Sequence, residues 1–176
     1  MKKNSFLFIL FLILTLGGCT GSNEPMPTVE APSYDFLKAS ASVQQQETMR
    51  QQRDLAFNNA KYTLKSQVKN ELKRFLTTYL SRIGLKNDAL SEKLSAYVYM
   101  DMEKIFEAIE QTGITVGDER TMTVTAALNH ELFITSLKAA LKENFRRDRT
   151  VWDRFQEQNA QDLLQQSLGA LLQIER

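Results

Sequence analysis

His130 is the one histidine of the chain and Cys19 the one cysteine, so the residue types best suited to nucleophilic, acid–base or metal chemistry occur singly. With no second histidine to spare, the composition argues against a catalytic triad or dyad built on His130-Glu131. A single histidine at the start of a helical stretch reads as solvent-facing. Zinc sites draw on several Cys and His ligands, and one cysteine also excludes an intrachain disulfide. Glu103, Glu107 and Glu110 would give a carboxylate face on a helix, but Lys104 stands among them. That face offers no more than a weak calcium site, with nothing resembling the EF-hand loop. Neither Gly17-Gly18 nor Gly113 with Gly117 forms a phosphate-binding loop. Lys142, Arg146, Arg147 and Arg149 read as a solvated helix end, where positive charge suits the macrodipole; a phosphate or polysaccharide contact is the minor alternative. The expectation is no enzyme, no catalytic residue, no cofactor and no metal site.

The elements that would position any function follow from the rest of the sequence. The chain has 176 residues, 43% of them hydrophobic and 24% charged. That is an ordinary globular mix, enough for one domain with a real core. Lys and Arg number 22 against 21 Asp and Glu. A nucleic-acid binder needs a basic surface to displace counterions, so no nucleic-acid partner is expected.

The N-terminus carries the strongest signal. Lys2 and Lys3 precede an apolar run from Ser5 to Leu16, about the length of a signal h-region and too short to span a bilayer. It ends in Leu16-Gly17-Gly18-Cys19. A small residue before Cys, with Leu three positions ahead, resembles the lipobox of bacterial lipoproteins. The resemblance implies a signal peptide over 1–18, a diacylglyceryl thioether on Cys19, cleavage just before it and acylation of the new amino group. Each buried methylene strengthens attachment by about 0.8 kcal/mol, so two or three acyl chains anchor firmly where one does not. Loss of Lys2 and Lys3 leaves 20 basic residues against 21 acidic ones, so the lipid rather than charge would hold the membrane. Thr20 stands where the best-known inner-membrane retention signal has Asp, which favours the outer membrane. Residues 20–32 contain all three prolines and read, with Cys19 and Ser33, as a lipidated tether over 19–33.

The folded body reads as α+β: a small antiparallel sheet, made of a strand over 34–43 and a hairpin over 114–128, packed by long helices. Leu37, Ala39, Ala41 and Val43 alternate with Lys38, Ser40 and Ser42, the period of a half-buried strand. From about Gln45, Ala56, Ala60, Leu64, Val68, Leu72, Phe75 or Leu76, Tyr79 and Ile83 draw one helical stripe. The stripe begins small and ends large, as expected if its first half crosses a sheet and its second half meets helices. Gly84 would close this helix, at roughly 55–60 Å long. Part of so long a rod would protrude or meet another chain. A second helix, capped by Asn87 or Asp88, keeps its spacing through Ile109 until Gly113 stops it. Residues 117–120 then connect the hairpin strands, and Asn129 caps a third helix through Phe145.

This order resembles the LPP-twenty family of bacterial lipoproteins. The residues that carry it are Leu55-Ala56-Phe57-Asn58-Asn59-Ala60-Lys61-Tyr62-Thr63-Leu64, then Val116-Gly117-Asp118-Glu119-Arg120 leading into residues 122–129. The likeness covers about residues 34–145 as one domain, plus the lipobox. The family includes surface-exposed lipoproteins and a flagellar outer-membrane lipoprotein that builds a disk around the motor. The resemblance therefore implies an outer-membrane, periplasm-facing structural subunit needed for motility. It implies no site residue beyond Cys19. A surface or periplasmic binding module, adhesin-like, is the alternative.

Residues 146–176 add an amphipathic helix, with no Pro or firm Gly stop to separate it from the third helix. Trp152, Phe155, Leu163, Leu164, Leu168, Leu171 and Leu172 form its stripe. Three uses compete: folding back on the chain's own core, packing on a second copy as an oligomerisation surface, or lying on a membrane, which wants a more basic polar face. Expected partners are the membrane through the acyl chains, further copies of the chain, and other flagellar or envelope proteins.

Overall fold

The computed structural model describes residues 36–171. Among the described residues a three-stranded antiparallel sheet, in the order β1-β3-β2, packs mainly against the first of five α-helices. The fold is α+β with a helical C-terminal extension, as the residue pattern predicts. Strand β1 (Phe36–Val43) and strand β2 (Glu110–Val116) flank β3 (Met122–Asn129). Helix α1 (Met49–Arg82) crosses the sheet; α2 (Asp88–Asp101), α3 (His130–Arg146), α4 (Arg149–Phe155) and α5 (Gln158–Leu171) complete the body.

Helix α1 starts later than the sequence stripe suggests because Thr48 builds a capping box. Its side chain accepts from the Gln51 N–H at 3.1 Å, and Gln51 Oε1 accepts from the Thr48 N–H at 3.1 Å. Two of the orphan donors at the helix start are thereby satisfied. At 34 residues the helix is about 51 Å long. Gly84 ends it at φ +81°, while the Leu85 N–H donates to the Leu80 carbonyl at 2.8 Å. That is the left-handed cap that glycine takes without Cβ strain.

The buried side of α1 advances in four-residue steps, so its seam winds around the helix rather than running straight. Ala56 meets Met122 and Val124, and Ala60 shares the core with Ala39 and Ala126. The missing side-chain volume lets helix and sheet backbones approach. Further along, Leu72, Phe75, Leu76, Tyr79 and Leu80 join α2, α3 and α5 in the main core. Small-then-large therefore means sheet-then-helices, as expected.

Three boundaries differ from the sequence reading. The second helix stops at Asp101; residues Glu103–Ala108 tighten into a 3₁₀ turn, and β2 begins at Glu110. Met102, Phe106 and Ile109 stay buried, and their spacings of four and three mimic continued α periodicity. Gly113 is consequently not a helix stop: it lies in β2 opposite Thr125, beside a bulge between Gln111 and Gly113. Nor do residues 146–171 prolong α3 as one rod. Asp148 accepts from the Val151 N–H at 3.2 Å and starts α4, and a turn at Gln156–Glu157 separates α4 from α5.

Candidate functional site

No pair or cluster of reactive side chains is brought together among the described residues. His130 is half-buried at the first position of α3, behind the cap in which Asn129 Oδ1 accepts from the Leu132 N–H at 2.9 Å. Glu103 and Glu107 lie in the 3₁₀ turn and Glu110 in β2. The expected carboxylate face of one helix does not form, since four residues at three per turn point about 120° apart. Among the described residues no group of three or more His, Cys, Asp or Glu could hold a metal ion. The basic run at 142–149 divides: Arg146 stacks over the Trp152 ring at 5.2 Å, Arg147 pairs with Asp101 and Glu143, and Arg149 pairs with Asp153.

Cys19 and Leu172 lie outside the described residues. The rest of the C-terminal stripe turns inward on its own chain. Leu164 and Leu168 are buried at 6% and 2% exposure, while Trp152, Phe155, Leu163 and Leu171 pack half-buried against the same core. Tyr79 fixes this docking: its hydroxyl donates to the Ala160 carbonyl at 3.1 Å. Complete burial pushes the Tyr79 phenol up to about 12. An aromatic column runs Phe75, Tyr79, Phe145, Phe155, Trp152, with successive centroids 5.3 to 6.2 Å apart. Burial of Leu164 and Leu168 within the chain favours the first of the three uses of this stripe, folding back on the chain's own core.

Two polar residues missed by sequence reasoning hold junctions. Asn144, fully buried, donates to Asp101 Oδ2 at 2.7 Å and to the Ala140 carbonyl at 2.8 Å, and its Oδ1 accepts from Arg147 at 3.3 Å. Gln52 Nε2 donates to the carbonyls of Val43 at 2.9 Å and Arg120 at 2.7 Å, tying the start of α1 to the end of β1 and to the hairpin turn at one end of the sheet. The only sequence signal for Gln52 is its place four residues before Ala56, in step with the stripe.

The surface left open is the sheet. Ser40 Oγ and Thr125 Oγ1 lie 2.8 Å apart, and Ser42 Oγ and Thr123 Oγ1 2.7 Å apart, on the face away from α1. Strand β2 is exposed along nearly its whole length, with Ile114 at 47% and Val116 at 58% exposure; Met49 stands nearby at 70%. Beyond the ladder to β3, no backbone hydrogen bond among the described residues reaches the outer edge of β1 or β2. An apolar cleft of about 240 Å³ beside Leu37, Leu64, Val68, Phe133 and Leu171 is smaller than typical small-molecule sites. Among the described residues no helix is long and apolar enough to cross a membrane.

No family model matches the chain, and no curated protein or solved structure matches it significantly.

Proposed function

We propose that the chain is a bacterial lipoprotein, anchored by acyl chains on Cys19 in the outer membrane and facing the periplasm, whose folded body serves as a structural subunit of an assembly. One observation carries this reading. The only cysteine sits at the end of Lys2-Lys3, the apolar run 5–16 and Leu16-Gly17-Gly18, and a proline-bearing tether separates it from β1. Acyl chains confine each copy to one leaflet in one orientation, so weak lateral contacts gain effective concentration without new chemistry. Heterologous contacts of that kind close into rings or run on as arrays. A disk around a flagellar motor is the specific form suggested by the likeness to LPP-twenty lipoproteins. The hydroxyl-lined sheet face favours the alternative, a binding module that presents this face to a partner.

The test is chemical cross-linking in intact cells of the native chain and of Cys19→Ser. Assembly predicts oligomers beyond the dimer in the envelope fraction, and their loss with the anchor. A native chain that stays monomeric in the envelope refutes it. Loss of motility with an intact filament on deletion of the gene would establish the motor role.

A further inference from the structure

We infer that copies of this chain assemble by edge-to-edge strand pairing, β2 of one copy running parallel to β1 of the next. The inference rests on the assembly reading above and names its interface. Both outer strands are antiparallel to β3, so β1 and β2 point the same way within one copy. Copies anchored in one leaflet share an orientation, and a rotation from one to the next brings β2 beside a parallel β1.

The rows of the sheet are complementary across such a junction. Lys38 and Glu110 both belong to the row of Ala127, on opposite edges, and both are exposed. Neither enters an ion pair among the described residues. Continuing the rows places Glu110 against the next copy's Lys38. On the same face it places Thr115 against Ser42. On the face toward α1 it places Ile114 and Val116 against Ala41 and Val43, covering the most exposed apolar side chains of the sheet. Charges on edge strands ordinarily guard against pairing. Here they have opposite sign in one row, so heterologous pairing neutralises them, whereas β1 against β1 gathers only lysine and β2 against β2 only glutamate. The bulge between Gln111 and Gly113 shortens the usable edge to residues 113–116 plus Glu110. Each contact is therefore weak and needs the anchor.

The full-length chain carrying Thr115→Cys and Ser42→Cys, expressed in a bacterial envelope, tests this. Within one copy the two positions are two strands apart, roughly 9–10 Å, beyond disulfide reach. Oxidation should give a ladder of dimer, trimer and higher species, with neither single variant reaching beyond the dimer and a mixture of the two singles giving dimers alone. Glu110→Lys should weaken the ladder roughly fivefold or more, and adding Lys38→Glu should restore it. Dimers from Thr115→Cys alone at the yield of the pair, or no ladder from the double variant while chemical cross-linking still traps oligomers, overturn the interface and leave the assembly reading standing. Absence of oligomers by both methods overturns both.

Discussion

Leu168→Ala separates the two uses of the C-terminal stripe. Leu168 is 2% exposed, and α5 is held to α1 by the bond from Tyr79 to Ala160. Truncation removes buried apolar volume and leaves a cavity that the surrounding helices fill only in part. Such changes cost about 2–5 kcal/mol, and about 3 is the middle expectation here. In a chain of this size each kcal/mol moves Tm by roughly 2–4 °C, so the drop should be about 6–12 °C. Leu163→Ala, half-buried, should cost about 1 kcal/mol. Trp152 is the only tryptophan and lies half-buried beside Phe155, so its fluorescence follows undocking of α4 and α5. Thermal and urea unfolding of the chain from Thr20 onward, at two protein concentrations tenfold apart, should show the loss at both. If Leu168→Ala changes stability by less than about 0.5 kcal/mol while oligomers disappear, the stripe is an interface and the packing account is wrong.

Three further outcomes follow from polar and backbone features. Asn144→Asp places a second carboxylate where the amide donates to Asp101 at 2.7 Å. It should cost about 3 kcal/mol or more at pH 7. Burial and the neighbouring Asp101 raise the new carboxyl's pKa, so its folded form holds a proton more tightly and stability should recover as pH falls from 7 toward 4 in a series of urea titrations. Tyr79, at about 12, is likewise raised above its unfolded value. Its contribution is intact below pH 10 and lost between 10 and 12, roughly 2.5 kcal/mol in all, so alkaline melting curves of Tyr79→Phe should lack that step. Glu119 holds φ 55° in the hairpin turn. Glu119→Gly should raise Tm slightly or leave it unchanged, because glycine relieves the left-handed strain while loosening the unfolded chain.

What the sequence reveals of this fold tracks how local the determinants are. The alternations in β1 and β3, the Ala-to-Phe gradient of α1, and the Asn87, Gly84 and Asn129 caps act within a few residues, and each appears where expected. The 3₁₀ turn at 103–108 keeps apolar residues at positions an α-helix would also use, so periodicity alone cannot distinguish them. The break at Asp148 rests on a side-chain cap in a stretch without Gly or Pro, competing against good helix formers on both sides. Asn144 and Gln52 become legible only once α2, α3 and the hairpin turn surround them. For the candidate site, Leu164 and Leu168 show a stripe in sequence, but only three-dimensional packing tells whether the same chain or another covers it. The open edges of β1 and β2 depend on strand order, which no local pattern encodes.

The anchor is the premise for confined, oriented copies, and intact-mass spectrometry of the protein from bacterial envelopes tests it most directly. The account predicts a chain that begins at Cys19 and carries a diacylglyceryl thioether with an acylated amino group. A chain that retains residues 1–18 with a free thiol, or one cut at another position and bearing no lipid, would contradict it.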